Sequence, residues 1–398
     1  MFVSKLETKL KLQVGSPIKD LRGFRNDIQG LRALAVILVV LAHAQVPHFS
    51  GGYVGVDVFF VISGFVITQV LVKGKESTVR ANLAQFYARR IRRIIPASTV
   101  VLVATIVATY AWLGPAVGTP LLTDVRWASL FAANWHLIAT SSSYFIPGVS
   151  PSLVTHFWSL AVEEQFYVCY PIVVFSIALF VGVRRQKPTL MAILVLAIVA
   201  SSWYSIHLTP LNETLAYYSP FARFWELALG GLLAILPEPW ARHTPRINAI
   251  CAAAALGVII VAAIRLGDYS AYPGSLAWWP CGATAVLLWT GRIPLIGGPA
   301  SWLSWRPVAY VGNVSYGFYL WHYLWLMLPE EYATTPLSAL TRAELVFGAF
   351  GCAVLSYHLL ENPIRRSKTL DAHPRATGVL LIGCLALTWM VTVLYATL

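Results

Sequence analysis

Charged residues are scarce in this sequence. Asp, Glu, Lys and Arg make up 12% of its 398 residues, about half the share of a soluble domain, and 58% of the chain is hydrophobic. That balance excludes an ordinary water-soluble fold, and no stretch between apolar runs is long enough to hold a separate soluble domain. Cysteine is sparse too. Cys169, Cys251, Cys281, Cys352 and Cys384 lie far apart, in or beside apolar runs. This spacing excludes a disulfide framework and a zinc motif and leaves them as small packing residues. There is no Walker loop, no HExxH, no GxSxG, no Gly-Asp-Ser block and no His followed five residues later by Asp. P-loop, zinc-peptidase and serine-nucleophile chemistry therefore have no support, and no metal is expected. The first thirty residues lack an apolar signal core and a small-residue cleavage site, so the first span is expected to act as its own insertion signal. Internal repeats and low-complexity tracts are also missing.

What the sequence does have is apolar runs of membrane length. They predict an all-α polytopic membrane protein, a bundle of 10–11 transmembrane helices around a polar central cavity. The spans read as 31–49, 54–72, 94–113, 154–182, 189–207, 221–236, 248–265, 276–291, 308–328, 343–361 and 378–397. The shortest are 221–236 and 276–291. Residues 1–30 form a polar N-terminal segment, and 31–398 form one membrane domain. Of the 29 Lys and Arg, 25 fall in alternate connecting segments, which places the N-terminus in the cytoplasm. Topology alone accounts for the net charge of +12, so no nucleic-acid partner is implied. The longest outer segment, 114–153, contains Trp127, Trp135, His136 and Tyr144. It reads either as an interfacial helix near 125–138 or as a lid or acceptor platform over the outer mouth.

Ionisable residues inside spans are costly and mark function. Arg32 and His43 are eleven residues apart, which puts them on one helix face about 16 Å apart along the axis. An imidazole titrates near neutrality, so His43 is a candidate base for a hydroxyl proton. Asp57, at the outer start of the next span, reads as an interfacial cap or turn carboxylate, or as a group that orients His43 or binds an acceptor. Arg89, Arg90, Arg92 and Arg93 lie just inside the cytoplasmic face. They read as ordinary positive-inside anchors or as a site for a ligand with several phosphates, such as a coenzyme A thioester. His156, Glu163 and Glu164 enter the fourth span from outside, with His156 and Glu163 on a shared face. Arg223 and Glu226, at i and i+3, are expected to pair structurally. His322 lies mid-span among aromatics as a second histidine candidate.

These residues sit in blocks that resemble the membrane acyltransferase-3 family. The blocks are DIQGLRALAVILVVLAH, GGYVGVDVFFVISGFVIT, FYARRIRRIIPA, HFWSLAVEEQFYVCYP, RFWELALGG, SYGFYLWHY and ENPIR, and they extend over 24–366. The family's basic-residue-x10-His motif maps onto Arg32 and His43, and its Arg-rich motif onto Arg89–Arg93. The resemblance implies an O-acyltransferase that moves a short acyl group from acyl-CoA, with acetyl-CoA as the expected donor. The acceptor would be a hydroxyl of a carbohydrate, a glycolipid or another small molecule of the envelope or of secondary metabolism. Many members add a soluble esterase-like domain after the last span. The sequence stops at Leu398, so a chain without that domain is expected. The expected assignment makes His43 the base, assisted by Asp57, Glu163 and Glu164. Arg32, Arg89, Arg90, Arg92 and Arg93 would bind the donor, and His156, Trp158, His322 and Trp135 would face the acceptor. A transporter or flippase is the competing class, since an intramembrane Arg, His and Glu set also suits proton-coupled export. The absence of a repeat between the two halves argues against it.

Overall fold

In hydrocarbon, a backbone has to satisfy its own hydrogen bonds, and an apolar run of membrane length does so as a helix. In the computed structural model, which describes residues 25–72, 79–140, 152–237, 245–267, 271–292 and 294–397, every regular element is helical among the described residues. The principal ones are α1 (Asn26–His43), α2 (Gly55–Val72), α3 (Val79–Trp112), α4 (Pro115–Ser129), α5 (Ala133–Ala139), α6 (Phe157–Val181), α7 (Val183–Leu208), α8 (Pro220–Ile235), α9 (Pro245–Arg265), α10 (Trp278–Thr290), α11 (Arg306–Tyr332), α12 (Ala339–Ser356) and α13 (Pro374–Ala396).

Each of the eleven predicted spans is a helix. Among the described residues, eight stretches are both long and apolar enough to cross a membrane. They do not include α8 and α10, with 16 and 13 residues, or α11, whose 27 residues carry many polar groups. These three helices pack within the bundle, where protein contact replaces lipid. The chain is thus a multi-pass integral membrane protein.

Close backbone approach sets the frame. Gly312 of α11 packs against the Gln29 carbonyl of α1, and Gly30 of α1 packs against the Leu303 carbonyl. Gly64 of α2 and Gly230 of α8 likewise meet the carbonyls of Leu227 and Val61, and none of these four positions has room for a Cβ. That packing explains why α1 starts at Asn26 rather than at the predicted residue 31. Asp27 and Ile28 are buried against protein, so the polar lead-in joins the helix.

The arginine-rich segment differs more from expectation. It is not a connection before the third span but the first turns of the 34-residue α3, which continues through Pro96. In the outer segment, the interfacial helix predicted near 125–138 is two helices, α4 and α5, broken at Phe131 with φ 52°. The His136 Nε2 lies 2.9 Å from Asp124 Oδ1, its ring stacks on Trp127, and Arg126 donates to Thr392 of α13. The expected cytoplasmic segment 1–30 falls mostly outside the described residues, as do Tyr144 and the remainder of the outer segment.

Candidate active site

Helices α1, α2, α3, α6 and α11 enclose a cavity of about 530 Å³. Its wall is completed by the π-helical turn Tyr357–Glu361 and by Arg365 and Arg366. Such turns recur at functional sites. The cavity is polar because α3 reaches it with two of its four clustered arginines. Arg90 and Arg93 are one helical turn apart and line it. Arg89 is exposed, and Arg92 turns the other way to bond Asp371 at 2.7 Å.

Within the cavity the charges fall into two groups. Arg90 is committed. It bonds Glu164 Oε1 at 2.9 Å, lies 3.6 Å from Glu163 Oε1, and stacks over the Tyr167 ring at 3.6 Å. Glu163 Oε1 in turn accepts from Ser63 and Tyr167, both at 2.6 Å. Two carboxylates and one guanidinium thus form a hydrogen-bonded buttress. Arg32 and Arg93 are different. Among the described residues neither has a carboxylate within 4.0 Å, and the contact of Arg32 is a 3.2 Å hydrogen bond to neutral Gln29. Both point into space that can hold an anion. Glu361 also lines the cavity. It is 6% exposed, and its Oε1 has no hydrogen-bond partner among the described residues.

The histidines form a separate layer. His43, the last residue of α1, places Nδ1 3.0 Å from Nε2 of His322 on α11. His156, just ahead of α6, stacks on Tyr323 at 4.5 Å, with its ring 5.7 Å from that of His322. None of the three lines the cavity. Between them and the cavity stand Tyr319 and Ser159, which line it and share a 2.7 Å hydrogen bond. The Tyr319 hydroxyl also donates to the His156 carbonyl, and its ring packs against both His156 and His322. His156 and Glu163 therefore belong to adjoining layers: Glu163 faces the cavity and His156 faces the other histidines.

Asp57 lies elsewhere. It is fully buried, 2.9 Å from Arg223 Nη2 and 2.6 Å from the Tyr272 hydroxyl. Arg223 reaches Glu226 with its other nitrogen at 3.0 Å, the intrahelical pair the spacing predicts. Burial first, and the Asp57 carboxylate second, hold the Tyr272 hydroxyl well above the ordinary phenol range, which keeps it a donor. The rings of Phe60, Trp158, Tyr217 and Tyr272 surround the guanidinium at 5.6 to 5.8 Å. Trp158 is thus a packing partner of this ion cluster and is absent from the cavity wall. Ligand atoms of Asp57, Glu226 and Cys281 come within 4.8 Å of one another, and Arg223 supplies the positive charge among them. Trp135 sits on α5 at the protein surface, edge-on to Phe221.

Sequence reasoning missed Glu361, Tyr319 and Ser159 as members of the site. All three fall in blocks that carry the family resemblance, ENPIR, SYGFYLWHY and HFWSLAVEEQFY. Their roles became visible only when helices distant in sequence were brought together.

Comparison with known proteins adds a family. The sequence model of a family described as an acyltransferase domain matches residues 25–361. The chain is 31% identical over 366 residues to the peptidoglycan O-acetyltransferase OatA of Listeria monocytogenes, covering 87% of this chain and 56% of that one. It is 28% identical over 353 residues to the O-acetyltransferase OatA of Staphylococcus aureus, covering 85% and 57%. The chain thus spans about half the length of the curated relatives it matches. No solved structure matches it.

Proposed function

This chain belongs to the acyltransferase domain family, and we propose on that footing that it is a membrane O-acyltransferase taking an acetyl or similarly short acyl group from a coenzyme A thioester. The acceptor in this reading is a hydroxyl of an envelope carbohydrate, a class supported by the names of its relatives. The observation that carries the donor assignment is the pair Arg32 and Arg93, cations facing a 530 Å³ cavity with no carboxylate within 4.0 Å among the described residues. Phosphates would complete them, with Arg365 and Arg366 at the same wall.

Spacing supports the same donor. Arg32 and His43 are separated by about 16 Å along α1, comparable to an extended phosphopantetheine arm. Phosphates held at Arg32 would let the thioester reach the histidine layer by passing Tyr319 and Ser159. The charge bias puts the arginine end in the cytoplasm, where coenzyme A is found, and the histidine end toward the outer face, where an envelope acceptor would approach.

In the reaction, His43 takes the proton of the acceptor hydroxyl. The oxygen forms a bond to the thioester carbonyl carbon, the carbon–sulfur bond breaks, and the departing thiolate recovers the proton from the imidazolium. Glu163 and Glu164 act through Arg90, holding it fixed and leaving Arg32 and Arg93 for the phosphates.

The test uses the full chain in lipid nanodiscs with radiolabelled acetyl-CoA and a carbohydrate acceptor. Labelled ester and free coenzyme A should appear together in equal amounts, and binding of coenzyme A alone should be lost in the Arg32→Ala, Arg93→Ala double variant. Unchanged coenzyme A binding in that variant would sink the donor site. Cysteines at the exposed positions Thr334 and Lys368 test orientation, with the first labelled from outside and the second only after permeabilisation.

A further inference from the structure

Glu361 is a carboxylate held back from the cations around it. It closes the π-helical turn Tyr357–Glu361 and lines the cavity, where Arg93, Arg32 and Arg365 are the cations whose fields reach it. Arg365 follows it by four residues, a spacing at which Glu and Arg on one helix ordinarily meet. Yet among the described residues Glu361 has no cation within 4.0 Å, and Arg365 donates instead to Asn362 Oδ1 at 3.1 Å. The reason lies at the contact between α11 and α12. Glu361 Oε1 rests over Gly317 of α11. A Cβ at that glycine would stand 2.9 Å from Oε1 and 3.3 Å from the Ala353 carbonyl oxygen of α12. The space of the missing methyl is thus the seat of the carboxylate. Oε1 is buried there without a hydrogen-bond partner among the described residues, which costs free energy that an ion pair in the cavity would recover.

We propose that Gly317 is a specificity-determining position: by giving the Glu361 carboxylate a seat away from Arg32 and Arg93, it keeps both cations open to the phosphates of the donor. The proposal rests on the reading of those two arginines as the donor site. A methyl at position 317 would push Oε1 off its seat. The Ala353 backbone has little room to give, whereas a Glu side chain turns about its own torsions, and its open side is the cavity. There the carboxylate would pair with Arg93 or Arg32 and occupy it as an internal anion. A phosphate-bearing donor would then have to displace that anion before it bound. Gly317 therefore acts on donor affinity through Glu361, without lining the cavity itself.

A mutant cycle on the full chain in lipid nanodiscs tests this, with equilibrium binding of coenzyme A as the readout and the thermal midpoint recorded for each variant. Gly317→Ala should weaken binding roughly tenfold, the equivalent of one charge-assisted phosphate contact. Glu361→Gln should tighten it roughly two- to fivefold, because a negative charge beside the phosphates is gone. The double variant Gly317→Ala, Glu361→Gln should bind at least as tightly as wild type. That recovery separates the proposal from simple packing damage, since the added methyl still presses on Ala353 in the double variant. Binding unchanged in Gly317→Ala overturns the proposal, and so does a loss that persists in the double variant. Weaker binding in Glu361→Gln also overturns it and makes the carboxylate a contact of the donor. If the Arg32→Ala, Arg93→Ala variant binds coenzyme A as wild type does, the donor site itself is misplaced, so the two failures are told apart.

Discussion

Two buried charge clusters lie in the same bundle. One, Asp57 with Arg223 and Glu226, is closed to ligand: a guanidinium lies 2.9 and 3.0 Å from two carboxylates inside a box of aromatic rings, although the Glu226 oxygens find no hydrogen-bond partner among the described residues. The other, around Arg90, closes just as tightly through Glu163 and Glu164 but leaves Arg32 and Arg93 facing empty volume. Both look alike as sequence, as ionisable residues inside apolar runs. The difference is whether a cation remains without a carboxylate within 4.0 Å where a ligand can reach it. A closed cluster holds helices together, here α2 to α8. An open one holds something that is not part of the chain.

Breaking the closed cluster should have the largest effect. Arg223→Ala leaves two carboxylates buried without their cation and should cost about 3–5 kcal/mol of stability. The readout is the thermal midpoint and yield of detergent-solubilised protein, with donor KM unchanged in what survives. Wild-type stability accompanied by a changed donor KM would reverse the roles assigned to the two clusters. His43→Gln should come next, slowing transfer by roughly 10²- to 10⁴-fold per inserted molecule with stability intact. Its pH profile adds a sign: wild-type activity should fall on acidification, because a protonated ring cannot take another proton. Unchanged transfer in His43→Gln would remove the histidine from the chemistry.

Arg93→Ala sharpens the contrast more gently. Losing one charge-assisted phosphate contact should weaken donor binding by on the order of 1.5–3 kcal/mol, seen as a raised KM for acetyl-CoA with little change in melting. A large drop in melting temperature with KM unaltered would make Arg93 another structural cation. Arg89→Ala should do least, within about 0.5 kcal/mol in stability and without effect on KM, because its side chain is exposed. An Arg89 effect equal to that of Arg93 would mean that the whole basic run, rather than two of its members, meets the donor.

That last contrast shows what could be read from the chain alone. The helices were legible because apolar length is a local signal, and all eleven appear where the runs lie. The four arginines were legible as a group, but reading them as a connection hid their helical period. Once α3 is continuous, Arg90 and Arg93 fall on one side while Arg92 is drawn to Asp371, 279 residues away. Asp57 could not be assigned, since its partner Arg223 is 166 residues distant and no local pattern links them. The histidine pair was in the same position: His43 and His322 were each visible as polar residues in apolar spans, but their contact bridges 279 residues.

The hydroxyl pair Tyr319–Ser159 has a consequence for the bilayer itself. A polar pocket with a layer of imidazoles beyond it holds the ingredients of a proton wire, and a continuous one would short-circuit the electrochemical gradient of the host cell. Tyr319 and Ser159 stand between the two, bonded at 2.7 Å. Their hydroxyls could themselves pass a proton, so any barrier would come from the bulk of the side chains keeping water out of this layer. Proteoliposomes carrying a Tyr319→Ala, Ser159→Ala variant under an imposed pH gradient should discharge it faster than wild type. Equal rates would show that the electrical barrier lies elsewhere in the bundle.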